Sequence, residues 1–128
     1  MNQKITSTHE LDNNGNPTGG VTVGTGIRIN WQNGPLGRGK PLAEIRASDI
    51  PRGLSAEDVA RKEPNGAFVE GVISAAIDRL QFFQTASGGK FACRENAIAL
   101  THLETALLWL GKRSADREAR EVEGTHTP

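Results

Sequence analysis

The chain holds one cysteine, Cys93, so no intramolecular disulfide framework can form and a reducing compartment is expected. Its charge balances to zero, with 15 Lys and Arg against 15 Asp and Glu, at a pI near 6.8. That balance argues against a general binder of nucleic-acid polymers, because neutralising phosphates needs an excess of bases. No apolar run of about 18 residues occurs, so no membrane-spanning helix is expected. The opening Met1-Asn-Gln-Lys-Ile-Thr6 is unlike a signal peptide, and the expected setting is the cytoplasm. Metal-ligand clusters are missing as well: His9, His102 and His126 are scattered, and Cys93 has no visible pairing with a general base. Cys93 is expected to be a buried structural thiol. Nothing arranges Ser, His and Asp into a nucleophile motif. These absences count against an enzyme and imply neither a cofactor nor a metal.

Apolar residues make up 36% of the chain, and glycine adds 15 more positions. An average domain reaches about 45–50% with glycine included, so the core is expected to be thin. Against that background Cys93 to Lys112 stands out as the longest helix signal. Leu100, Leu103, Leu107 and Leu110 draw one apolar stripe at helical period, and Ile98, Thr105 and Trp109 draw a second. A helix with two such faces is either central in a large core or clamped between partners. In a short chain with a thin core, partners are the simpler solution, and a homo-oligomer is expected.

In chain order, residues 1–19 are polar and run into the turn-forming Asp12-Asn-Asn-Gly-Asn-Pro-Thr-Gly-Gly20, which predicts a flexible arm with room for a hairpin in it. Residues 20–63 form a β and glycine-rich region. Val21 to Trp31 reads as one strand with Ile27, Ile29 and Trp31 on one face, and Gly24 and Gly26 suggest a bulge or a close backbone approach. The turn Gln32 to Lys40 follows, then a loop to Gly53 and a short helix opened by the Ser55-Ala-Glu-Asp58 capping box. Residues 64–124 predict an antiparallel helical hairpin. Asn65 serves as N-cap of a first helix near Gly66–Gln84, in which Gly71 suggests close helix contact; a loop over Thr85–Lys90 leads to the second helix, which Gly124 stops. The pairs Asp116–Arg120 and Arg117–Glu121 mark a solvated helix end, and residues 125–128 form a tail. The fold class is therefore α+β: a C-terminal helical hairpin with a small N-terminal β element, oligomeric.

The remaining polar inventory is one of binding. Gly34, Gly37 and Gly39 lack P-loop spacing, yet exposed amides beside Arg38 and Lys40 can hold a phosphate, and Trp31 can stack on a base. The alternative is a surface turn after a strand whose Trp lies in the core. Seven bases from Arg28 to Lys62 against four acids (Glu44, Asp49, Glu57, Asp58) make this segment mildly basic. Arg94 at a helix start is a natural partner for phosphate, and Thr101 and His102 add polar groups, although His102 equally suits an ordinary packed or interface histidine. Such groups fit a small anionic nucleotide better than a polymer.

Cys93-Arg-Glu, Leu100-Thr101, Leu103-Glu104, Ala106 and Leu108-Trp109 resemble the second hairpin helix of the phage sponge proteins that block CBASS and Thoeris immunity. His102 and Thr105 replace that pattern's usual Lys and Glu. The likeness covers roughly the C-terminal half of the chain. It implies a phage-encoded protein that sequesters a cyclic oligonucleotide or a cyclic ADP-ribose isomer without cleaving it, assembled as dimers or hexamers through its hairpins. The pocket expected on this basis joins subunits: Trp31 or Phe68 stacks on a base, Arg38, Arg94 and Arg28 pair with phosphates, and Asn33, Thr101 and His102 contact ribose or base edge. A helical-hairpin assembly protein with no small-molecule ligand is the alternative.

Overall fold

A computed structural model describes residues 4–37 and 39–126. The chain forms two units, Met1–Phe68 and Val69–Pro128, and its class is α+β.

The first unit is built on a three-stranded antiparallel sheet of order β1-β2-β3, with β1 (Thr6–Leu11), β2 (Pro17–Gly24) and β3 (Ile27–Asn30). The turn between β1 and β2 is made by Asp12, whose Oδ1 accepts the N–H groups of Asn14 at 2.8 Å and Asn16 at 2.9 Å. The polar opening stretch thus contains the hairpin that its turn residues suggested. The register shifts between His9 and Leu11, opposite Gly20. Gly20 has φ +145°, and a Cβ there would fall 2.2 Å from the Thr8 carbonyl oxygen, so glycine is required.

Val21 to Trp31 is not one bulged strand. Gly24 pairs with Ile27, and Thr25-Gly26 turns the chain between β2 and β3, with Gly26 at φ +73°. The two glycines that suggested a bulge supply a reversal. A polar group sits at the middle of the sheet: buried Thr22 accepts the Trp31 indole N–H through Oγ1 at 2.7 Å and lies 2.9 Å from Ser7 Oγ.

After β3 the chain leaves the sheet and returns to it. Leu42–Glu44 and Ala47–Asp49 are single 3-10 turns, and α1 (Ala56–Val59) opens on the expected capping box, with Ser55 N–H donating to Asp58 Oδ2 at 2.7 Å. The return is closed by a clasp. Gln32 N–H donates to the Ala67 carbonyl at 2.8 Å, Ala67 N–H donates to the Asn30 carbonyl at 2.7 Å, and buried Gln32 accepts the N–H groups of Asn65 and Gly66 on one side-chain oxygen. Asn65 is therefore not a helix N-cap; its Oδ1 accepts the Asn33 N–H at 2.9 Å, and the next helix begins only at Val69. The extended pairing of Trp31 with Ala67 takes the backbone groups that an earlier helix start would need.

The second unit is a hairpin of α2 (Val69–Gly89) and α3 (Arg94–His126). Helical geometry breaks at Ala86, Ser87 and Gly88, which places the turn in the loop expected after Gln84. Gln84 ties the turn to α3: its Oε1 accepts the Cys93 N–H at 2.9 Å and its Nε2 donates to the Cys93 carbonyl at 3.1 Å. At the far end Arg113 reaches Glu70, so the helices run antiparallel. Val72, Ile73, Ile77 and Leu80 on α2, and Leu100, Leu103, Leu107 and Leu110 on α3, are the half-buried apolar positions of the pair. Three expectations change here. Gly71 faces open space rather than a close helix contact, because it lies off this stripe. Cys93 is exposed, since it is fixed through its backbone at the rim of the turn. The helix continues past Gly124 to His126, within the usual spread of helix ends.

Among the described residues no apolar side chain is fully buried, as a thin core predicts. The second α3 stripe stays in solvent, with Ile98 39% and Trp109 67% exposed, and Leu108 beside it is 74% exposed.

Candidate ligand site

The residues expected to bind divide between the two units. In the first, Trp31 spends its indole N–H on Thr22 and its backbone N–H on the Gly20 carbonyl, so its polar handle belongs to the sheet. Asn33 follows the clasp, with its backbone N–H on Asn65 and its side chain exposed. Arg28 lies exposed on β3 opposite Val23, and Phe68, exposed, follows the clasp residue Ala67. Arg38 lies outside the described residues. Trp31 and Asn33 are thus gathered at one clasp, and Arg28 stands three residues before it on β3.

In the second unit, Arg94, Thr101 and His102 are exposed on α3, where Thr101 Oγ1 donates to the Ala97 carbonyl at 3.2 Å. Arg94 and Thr101 are seven apart and share a face. His102 belongs to the neighbouring stripe, seven residues before Trp109 and about 10 Å from it along the axis.

That stripe carries a groove of about 370 Å³, lined by Trp109, Lys112, Arg113, Asp116 and Arg120. Its residues recur from Trp109 at steps of four, three and four to Arg113, Asp116 and Arg120, which aligns them on one side of a continuous helix. The lining sums to three positive charges and one negative. Lys112 Nζ donates to Asp116 Oδ2 at 2.8 Å, and this hydrogen bond, with the charges of Lys112 and Arg120, holds the Asp116 carboxyl below the ordinary aspartate range. Asp116 therefore makes its hydrogen bond to Lys112 rather than to Arg120, as the charge-assisted contact one turn earlier is the direct one. The side chain of Glu121, the expected partner of Arg117, lies outside the described residues. Arg113 Nη2 donates to Glu70 Oε1 of α2 at 2.7 Å.

An indole face beside three cations suits a ligand that combines an aromatic ring with negative charge: the ring stacks while the phosphates take up guanidinium and ammonium donors. The nucleophile and base of a hydrolytic site are not gathered here, and no group of His, Cys, Asp and Glu among the described residues could hold a metal. Lys112, Arg113 and Arg120 are functional candidates missed from the sequence, where the charges after Lys112 read as a solvated helix end. The step pattern running on from Trp109 is the signal that marks them.

The first unit has grooves along the loop after the clasp, one of about 350 Å³ lined by Lys40, Ala43, Glu44, Ile45 and Arg46. Its lining carries two bases and one acid, and Lys40 is paired with Asp49 at 3.1 Å. With three bases and one acid, the hairpin groove carries the larger positive charge.

The model of the Acb2/Tad1 hairpin domain matches residues 52–115, which include α2, the start of α3 and the groove residues Trp109, Lys112 and Arg113. The protein named Thoeris anti-defense 1 from Bacillus phage SBSphiJ7 is 40% identical over 111 residues, covering 83% of this chain and 76% of that protein. With half of its length matched by the family model and most of it by such a relative, the chain belongs to the Acb2/Tad1 hairpin family, the sponge family that its Cys93–Trp109 stretch resembles.

Proposed function

We propose that this protein is a phage anti-defence sponge: it binds a nucleotide immune signal, holds it intact in the host cytoplasm and so denies it to the bacterial effector. The observation that carries this reading is the α3 groove, in which Trp109 stands beside Lys112, Arg113 and Arg120. The likeness to a protein named for anti-Thoeris activity favours a cyclic ADP-ribose isomer over a cyclic oligonucleotide of CBASS signalling. Binding without catalysis follows from the same inventory, since stacking and charge-assisted hydrogen bonds need neither a nucleophile nor a metal.

The protein acts as a homo-oligomer in this account. Leu108 and Trp109 are exposed on a helix whose other face packs on α2, and a second copy that covers Leu108 would also deepen an otherwise open groove. Arg94 and Thr101, on the adjoining face, and His102, two turns from Trp109, extend the ligand contacts. Arg28, Trp31, Asn33, Arg38 and Phe68 form a separate candidate set on the first unit. A pure assembly module is the rival reading, and the exposed apolar stripe suits it equally well. The groove's three cations favour the sponge reading, because packing alone has no use for a row of bases beside an indole. Thermal-shift measurements across cyclic di- and trinucleotides and cyclic ADP-ribose isomers test the choice. One of them raises the melting temperature of the wild type and not of Arg113→Ala if the groove is the site; the assembly module responds to none.

A further inference from the structure

We propose that Glu70 is a positioning residue for this groove: its carboxylate fixes the Arg113 guanidinium so that the remaining N–H donors meet an anionic ligand. The proposal rests on the ligand reading above and deepens it. Arg113 Nη2 donates to Glu70 Oε1 at 2.7 Å, with side-chain exposures of 53% and 35%. Among the described residues this is the ion pair that joins α2 to α3; Lys112–Asp116 lies within α3, and Lys40–Asp49 lies in the other unit.

Three features give the pair its role. A long arginine on an exposed helix face samples many rotamers, and ordering it at the moment of binding weakens affinity. Glu70 stands near the start of α2, on a different rigid element, so the contact sets the guanidinium's direction relative to the whole hairpin. The contact uses one N–H of five, which leaves a guanidinium edge free for a phosphate to take up two donors at once. Glu70 also brings a negative charge toward an anion site. Orientation and charge therefore act in opposite directions, and substitution separates them: glutamine keeps the acceptor oxygen and drops the charge, whereas alanine removes both.

The test uses the full chain with ADP-ribose as the probe. Nitrogen-15 spectra of the arginine side chains, with the Arg113 signals assigned through Arg113→Lys, report whether the guanidinium is held before any ligand is added. Calorimetry then gives ADP-ribose affinity. The expected result is a held Arg113 in the wild type and in Glu70→Gln, and an averaged one in Glu70→Ala. Affinity in Glu70→Gln is expected to equal or exceed the wild type, while Glu70→Ala weakens it about threefold to tenfold, the effect of ordering one side chain on binding. Equal affinity in all three proteins, loss in Glu70→Gln as in Glu70→Ala, or tighter binding in Glu70→Ala each overturns the proposal. If Arg113 is held by Glu70 yet the wild type binds neither ADP-ribose nor a cyclic ADP-ribose isomer, the groove reading fails and the ligand role of Glu70 falls with it. If the wild type binds but the Arg113 signals ignore Glu70, the groove stands and the positioning role alone is lost.

Discussion

Gln32 accepts the backbone N–H of Asn65 on its Oε1 at 2.8 Å, across 33 positions of sequence, and the same oxygen takes the Gly66 N–H at 3.1 Å. One buried amide thereby closes the excursion that begins after β3. Gln32→Ala leaves two backbone donors without their partner, a loss of about 1–3 kcal/mol. Native-state hydrogen exchange is expected to show faster exchange at Asn65 and Gly66, with little change at the amides of α3. Unchanged protection at those two positions would remove the clasp from the account.

The neighbouring Gly66, like Gly20, is a position at which even a methyl group cannot be accommodated. A Cβ there would lie 2.5 Å from both the carbonyl carbon and oxygen of Trp31 and 2.6 Å from the Asn30 oxygen, all backbone atoms that cannot step aside. Gly66→Ala is expected to break the Trp31–Ala67 pairing and to cost more than the few tenths of a kcal/mol typical of surface changes, on the order of 2 kcal/mol or above. Urea denaturation followed by Trp fluorescence measures it, and Gly71→Ala, which meets open space in α2, serves as the control expected to be neutral or stabilising.

The α1 capping box gives a pH prediction. Asp58 receives hydrogen bonds from the backbone N–H and the hydroxyl of Ser55, in that order of effect, which lower its pKa below 3.8. A carboxylate depressed in the folded state contributes stability that is present above the unfolded value and lost as pH falls through the folded one. Carbon-detected titration of Asp58 should therefore give a midpoint below 3.8, and Ser55→Ala should raise it. A midpoint unmoved by Ser55→Ala would mean that the box does not hold in solution.

Much of this fold is legible in the sequence, and the parts that are not share a cause. The hairpin follows from Leu100, Leu103, Leu107 and Leu110 because helical period is a local property. The Asp12 turn and the Ser55 box are equally local. Gln32 with Asn65 is not: neither residue announces a partner more than thirty positions away, so Asn65 reads as a helix cap. Gly24 and Gly26 fit a bulge and a turn alike, and only the pairing of β2 with β3 decides. The groove was legible in principle. Trp109 is conspicuous in the apolar stripe, but the bases after it read as solvated charge until Arg113 is seen fixed to Glu70 on another helix.

The exposed α3 stripe predicts assembly. Leu108→Glu places a charge on a side chain that is 74% exposed in the single chain, so it should leave the hairpin folded. A single surface substitution of this kind ordinarily shifts stability by about 0.5 kcal/mol or less. Sedimentation velocity is expected to show an oligomer for the wild type and a smaller species for Leu108→Glu, with unchanged helical content by circular dichroism. A wild type that sediments as a monomer at every concentration contradicts the oligomeric account.

The central claim is that the protein holds a nucleotide signal without changing it. It is tested by incubating the purified protein with cyclic di- and trinucleotides and cyclic ADP-ribose isomers, removing free ligand, denaturing by heat and identifying what is released by mass spectrometry. The account predicts recovery of one compound at its starting mass from the wild type, and its absence from Trp109→Ala and Arg113→Ala. Recovery of a cleaved product, or of nothing from the whole panel, would contradict it.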